Sequence, residues 1–306
     1  MRLSVIDIGT NTVLMLIADV DARGGLEPVY HGHEIARLGM GVDEHRRILP
    51  EALDRALKTI RSFVNLSKQY QSDRIVACGT SALRDAANRD EVLDRMRSVT
   101  GIDVEILSGN QEAELTYLGA IGEFAGERND QKFAVLDIGG GSTEITAGTG
   151  RQIQSKQSHN IGCVRLTERF LRTSPPSSPD IDQAIGSIRQ HVGSLNPLDS
   201  ATRLIGVAGT LTTLGAMDLR LPTYDPLRVS GHRLTRETIE SVLGQLRIKT
   251  SEQIKEIPQI LPGRADILLA GILILLEVMR QLEAFEITVS DRGLRYGVAM
   301  KEALRT

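Results

Sequence analysis

Cysteine is scarce in this chain, histidine sparse, and neither sign of charge dominates. The two cysteines, Cys78 and Cys163, stand far apart in apolar settings, so they read as core thiols of a reducing compartment, not a disulfide framework. The six histidines show no paired metal-ligand spacing, which argues against a zinc or histidine-rich di-metal hydrolase. A formal charge of −3 with both signs mixed gives no bulk attraction to nucleic acid or to a membrane surface. The most apolar run, 267–279, has 13 residues and contains Glu277, too short for a bilayer span and suited to a buried core helix. No basic segment precedes a hydrophobic stretch, so no signal peptide is expected and the expected location is cytoplasmic. A polyanionic ligand would have to be drawn by a local basic cleft.

What the chain does have is glycine in one telling place. In 133–144, FAVLDIGGGSTE, a short apolar strand leads into Asp137, then Gly139, Gly140 and Gly141, then Ser142, Thr143 and Glu144. Consecutive glycines let backbone N–H groups approach a ligand, because no Cβ intervenes. Successive amides in a tight turn bind anions, and an adjacent acid can hold a cation that offsets phosphate charge.

The pattern occurs twice. In 3–16, LSVIDIGTNTVLML, a shift of 130 positions lays Asp7 on Asp137, Gly9 on Gly139 and Thr12 on Ser142. One recurrence at half-chain spacing points to two domains of one design, and 306 residues suffice for two cores. If the domains face each other, the two turns converge on one cleft, and Asp7 and Asp137 repel unless a cation lies between them. A hydrated divalent ion with bound phosphate suits that place.

Along the rest of the chain, 26–35 reads as a strand and 21–25 as the turn before it. Arg37 beside Gly39 and Gly41 is a candidate for an extended phosphate ligand. Pro50 and the spacing of Leu53, Leu57, Ile60 and Val64 give an amphipathic helix over 50–69, with Arg55 on its solvated face. Strand 74–78 enters GTSALRDAAN, where Arg84 is either a ligand group or an ion-pair partner of Asp85 or Asp90, and Asn88 is a candidate cap for a helix ending near Met96. Ser108 and Gln111 form a weak capping box ahead of a helix whose first turn carries Glu112. That carboxylate is either a helix-dipole partner or a group aimed at an attacking water. Residues 122–131 are polar enough for an interdomain connection. Gly162 and Arg165 precede a helix, and 203–215 forms a third strand-to-glycine-to-hydroxyl junction, in which Gly209 and Thr210 are candidates for further phosphate contacts. His232 needs no catalytic role. A strand at 285–289 then leads to a final helix.

Nine blocks in order resemble one family: DIGTN, RLGMGV, GTSALRDAAN, SGNQEAELTYLG, DIGGGSTE, NIGCVRLTE, GVAGTLTTL, LPGRADILLAG and VSDRGLRYG. The chain resembles the exopolyphosphatase / guanosine pentaphosphate phosphohydrolase family of the actin-like ATPase superfamily. The resemblance implies an α/β fold of two ribonuclease-H-like domains, each a mixed five-stranded sheet flanked by helices, closing on an interdomain cleft. The expected domains are 1–125, completed by 293–306, and 126–292. It implies Glu112 as catalytic acid–base group with Arg84 beside it, and metal ligands at Asp7, Asp137 and Glu144. The expected phosphate contacts are Thr10, Asn11, Arg37, Gly139, Gly140, Gly141, Ser142, Gly209 and Thr210. The implied cofactor is magnesium, with manganese as an alternative.

The implied activity is hydrolysis of the terminal phosphoanhydride of inorganic polyphosphate, with guanosine pentaphosphate (pppGpp) as the alternative substrate. An acceptor-dependent kinase and a non-enzymatic nucleotide sensor are rival readings. A homodimer is compatible with this assignment, whereas DNA and membrane partners are not expected. Two departures stand out. Gln111 replaces the acid that many members carry before the catalytic glutamate. The sequence also stops where long members continue into a helical HD-type region, so shorter polyphosphates or a nucleotide become the expected substrates.

Overall fold

The computed structural model describes residues 1–21, 25–124 and 130–305. The chain divides into two compact units, Met1–Gly122 with Arg292–Thr306, and Glu123–Asp291. The expected boundary at 125/126 lies outside the described residues.

The first unit opens with an antiparallel meander, β1 (Arg2–Ile8), β2 (Thr12–Val20) and β3 (Leu26–Ile35). A short helix α1 (Val42–His45) precedes α2 (Pro50–Gln69), which starts at proline because that position needs no backbone N–H. Ala56, Leu57, Ile60, Phe63 and Val64 bury its inner face. Strand β4 (Arg74–Gly79), helices α3 (Ser81–Asp85) and α4 (Arg89–Thr100), strand β5 (Val104–Ile106) and helix α5 (Gly109–Ile121) follow. The sheet order is β3-β2-β1-β4-β5, with β4 and β5 parallel to β1.

Side chains alternate across β1. Ile6 and Ile8 join the cluster containing Ile60, Phe63 and Val64 of α2, whereas Leu3 and Val5 join Cys78, Leu107 and Leu115. Period-two alternation therefore points Asp7 toward the face that α5 covers.

In the second unit, β6 (Lys132–Ile138), β7 (Thr143–Thr149) and β8 (Gln152–His159) repeat the meander. Helix α6 (Cys163–Phe170) and α7 (Ser178–Val192) precede β9 (Arg203–Val207), which runs into α8 (Ala208–Asp218). Then come α9 (Pro226–Val229), β10 (Arg233–Thr235), α10 (Arg236–Leu246), α11 (Ser251–Lys255), α12 (Leu268–Gln281) and β11 (Glu286–Val289). The expectation of five strands fails here. The order is β10-β11-β9-β6-β7-β8, a sheet of six. The extra strand β10 has only three residues, too few to show any alternation in the sequence.

The apolar run is a core helix as its composition suggests, with every residue of α12 from Leu268 to Met279 buried. Its one acid, Glu277, is gripped by Arg189 at 2.7 Å and Arg280 at 2.6 Å, which a buried charge requires. Among the described residues no helix is long and apolar enough to cross a membrane.

The last helix, α13 (Leu294–Ala303), belongs to the first unit, where it packs on α5 and on β1 and β2. Its buried Arg295 donates to the Met15 carbonyl at 3.1 Å. Gly119 and Gly297 let the two helices meet backbone to backbone. A Cβ on Gly297 would run into the Leu115 carbonyl, and one on Gly119 into that of Gly293.

Candidate active site

The β1–β2 turn closes through Gly9, whose N–H donates to the Thr12 carbonyl at 3.0 Å. A Cβ there would stand 2.9 Å from that oxygen. The carbonyls of the next two residues are both committed. Thr10 O accepts from the Gly39 amide and Asn11 O from the Arg37 amide, each at 2.8 Å. A trans peptide sets its C=O and N–H on opposite sides, so the Asn11 amide faces away from the 37–39 segment. Arg37 sits at φ 50°, a left-handed backbone that a non-glycine residue adopts only where its surroundings hold it. Part of that hold is Arg55, whose Nε donates to the Ala36 carbonyl at 2.9 Å. Arg55 thus does more than solvate its helix.

The second unit repeats the construction with more donors. Gly139 N–H donates to Ser142 O at 3.0 Å, the counterpart of Gly9 and Thr12. Gly139 O accepts from the Cys163 amide at 3.0 Å, and Gly140 O from the amides of Val164 at 2.8 Å and Arg165 at 3.1 Å. Gly141 O accepts from Nε of Arg165 at 2.9 Å. The glycine carbonyls thus satisfy the otherwise orphaned amides of the first turn of α6. By the same peptide geometry the Gly140, Gly141 and Ser142 amides are turned the other way, a run of N–H groups of the kind that binds anions.

The carboxylates are set by register. Asp137 and Glu144 stand opposite each other across β6 and β7. Glu144 is buried and accepts from Ser158 Oγ at 2.7 Å. Asp7 stands beside Cys78 in the parallel β1–β4 ladder. Within neither unit, among the described residues, do three His, Cys, Asp or Glu side chains gather as a ready cation site.

Glu112 projects from the first turn of α5, which begins at a full capping box: Gln111 N–H donates to Ser108 Oγ, and Ser108 N–H donates to Gln111 Oε1 at 2.8 Å. The glutamate is buried, at 7% exposure, and Nη1 of Arg84 donates to its Oε2 at 2.6 Å. Glu112 is thus an ion-pair partner of Arg84 that the sequence reading did not offer. The short helix α3 aims Arg84 at α5, and Asp90 meets Arg89. Burial pushes the Glu112 carboxyl above its ordinary value, while the charge and hydrogen bond of Arg84 pull it back only in part. Asp7 and Glu112 both raise the neighbouring Cys78 thiol, adding to the larger effect of its complete burial.

Ala208 takes a left-handed φ of 68° and α8 starts at once. The guanidinium of Arg264 lies over the Gly209 Cα, where a Cβ would overlap it, and the Thr210 hydroxyl packs against Gly271 of α12. Arg264, from the LPGRAD block, is thus a group that spacing did not single out. Its burial lowers the pKa of the guanidinium. Asn88 stands at the N-cap position of α4 as expected, without a side-chain capping bond. Its side chain accepts from Ile48 N–H at 2.9 Å and donates to Ile48 O at 3.1 Å, and α4 runs on to Thr100 and stops at Gly101. Both cysteines are buried and free, and His232 pairs with Asp218 at 2.6 Å.

The model of the Ppx/GppA phosphatase family matches residues 16–306. Exopolyphosphatase 2 of Mycobacterium tuberculosis is 34% identical over 99% of this chain and 98% of its own. A bifunctional 3-dehydroquinate synthase/phosphatase of Fusobacterium nucleatum is 31% identical over 97% of this chain, which spans 46% of that protein. Among solved structures, an exopolyphosphatase-like protein superposes with a TM-score of 0.93 at 33% identity, over 99% of this chain and 98% of that one. The Aquifex aeolicus Ppx/GppA protein gives 0.82 at 31%, over 100% and 98%. An exopolyphosphatase from Cytophaga hutchinsonii gives 0.86 at 29%, over 99% and 98%. The motifs led to the family that full-length likeness shows: this chain belongs to the Ppx/GppA phosphatase family.

Proposed function

We propose that the protein is an exopolyphosphatase, releasing phosphate from the end of inorganic polyphosphate and favouring short chains. The observation that carries this reading is the paired construction of the glycine turns. In both, the carbonyls are bound by protein donors on one side and the peptide N–H groups face the other, where phosphate oxygens could accept from them. The names of full-length relatives support polyphosphate as the substrate class.

Glu112 takes the role of orienting the attacking water and accepting its proton. A carboxylate raised by burial is a better base near neutral pH than an exposed one. Arg84 holds that carboxylate in one direction and brings positive charge to the reacting phosphoryl group. Thr10, Asn11, Arg37 and the Gly139–Ser142 turn bind phosphate oxygens through amides, hydroxyls and a guanidinium. Gly209 binds through its backbone, with Arg264 above it. Since phosphoryl transfer has a loose transition state, positioning and charge stabilisation account for most of the rate.

The acids Asp7, Asp137 and Glu144 offer only hard carboxylate oxygens, which suits magnesium or manganese over zinc. Asp137 and Glu144 stand opposite each other across β6 and β7, and so few carboxylates suit an ion that keeps waters and takes phosphate oxygens as ligands. Such an ion would supply charge neutralisation along the phosphates when bound.

The test compares phosphate release from tripolyphosphate, long-chain polyphosphate and pppGpp on one preparation. Tripolyphosphate is expected to give the highest kcat/KM. A higher value for pppGpp would move the assignment to the guanosine nucleotide, and, in a parallel assay with ATP, ADP formation that requires an added acceptor would make it a kinase.

A further inference from the structure

We propose that Arg165 is a positioning residue for the phosphate-binding turn: by donating from Nε to the Gly141 carbonyl, it holds the Gly141–Ser142 peptide with its N–H toward the ligand. The proposal rests on the reading of 139–142 as a phosphate cradle.

Arg165 is the third residue of α6 and is 8% exposed, an unusual place for a guanidinium without a structural task. Its backbone N–H bonds the Gly140 carbonyl and its Nε the Gly141 carbonyl, so one residue fixes two consecutive peptides. The other two contacts to the turn, from the Cys163 and Val164 amides, are backbone bonds that truncating a side chain leaves in place. The Gly141–Ser142 peptide depends on a side chain, and glycine on its N-terminal side leaves that peptide free to rotate once the bond is lost. A rotated peptide would present a carbonyl oxygen to an anionic ligand in place of a donor.

Gly162 lets α6 approach the turn closely. A Cβ there would lie 2.5 Å from the Gly140 carbonyl and 2.6 Å from the Gly141 nitrogen, so α6 and the turn meet with no side chain between them. The matching position in the first unit uses a backbone donor, the Arg37 amide on Asn11 O. The side-chain dependence is thus particular to the second turn.

The test uses Arg165→Met, which keeps an apolar stem, and Arg165→Lys, which keeps the charge without a donor at the Nε position. For tripolyphosphate, KM is expected to rise about tenfold or more in both, from loss of a charge-assisted hydrogen bond, with kcat within about threefold. Hydrogen exchange of a peptide covering 137–146 in the ligand-free protein is expected to quicken in both variants, while α12 stays protected. If Arg165→Met lowers Tm but leaves KM and that exchange unchanged, the residue is only a packing element and the proposal fails. Full recovery by Arg165→Lys also overturns it, since charge alone would then suffice. Should the wild type hydrolyse none of the phosphates, the functional reading falls, yet the exchange measurement still decides the role of Arg165.

Discussion

Nη1 of Arg84 donates both to Oε2 of Glu112 at 2.6 Å and to the Leu107 carbonyl at 2.9 Å. One nitrogen therefore ties the candidate base to the residue just before the cap of its own helix. The pair sets Glu112 in a single direction while partly offsetting the cost of burying its charge.

Replacing Glu112 by Gln is expected to lower kcat for tripolyphosphate by roughly 10²–10⁴-fold, the range typical of a lost acid–base group. A near-normal rate would remove Glu112 from the mechanism. Stability provides the control. Burial raises the folded-state pKa of this acid, so its favourable contribution exists at low pH and is lost as pH rises through the folded value. At neutral pH the amide variant should therefore unfold no earlier than wild type.

Arg84→Met should move the acidic limb of the pH–kcat profile upward. Arg84 is the group that lowers the Glu112 pKa against burial, so its removal leaves the raising effect unopposed. The base then stays protonated to higher pH, and activity at fixed neutral pH falls. An unshifted limb would mean that the profile reports another group.

Chelation should abolish phosphate release and added magnesium should restore it. In Asp7→Asn the magnesium concentration for half-maximal rate should rise about tenfold or more, as expected on loss of one charged oxygen ligand. Wild-type activity in excess EDTA would reject the metal assignment.

Gly297→Ala should destabilise the first unit by about 1–3 kcal/mol in urea unfolding, because its methyl group has no room beside the Leu115 carbonyl. Gly186→Ala in α7 is the comparison. Nothing lies within 4 Å of its Cβ position, and a helical alanine there should add roughly 0.5–1 kcal/mol.

Neither thiol should react with a disulfide reagent at pH 8 in the folded protein. Cys78 is pushed well up by burial with Asp7 and Glu112 nearby, and Cys163 to about 11, mainly by burial. Both should label at once in denaturant, and rapid native labelling would contradict the burial.

The sequence by itself determined the two hairpins, β1–β2 and β6–β7, because Asp-Ile-Gly followed by a hydroxyl-bearing turn is a local pattern of strand and hairpin. It also determined β3 and α2 at their observed ends, since alternation, proline and helical spacing are carried by neighbouring residues. The capping box before Glu112 was legible for the same reason. Tertiary structure alone decided the partners. Arg84 lies 28 positions from Glu112, Asn88 40 from Ile48 and Arg165 24 from Gly141, separations that leave no periodic trace. Arg264 over Gly209 and β10 on the sheet edge were hidden likewise, one made by chain reversal and the other too short to alternate. Short-range rules follow from the few angles of one residue and its neighbours. Which carbonyl meets which guanidinium is fixed only when distant segments pack into one core.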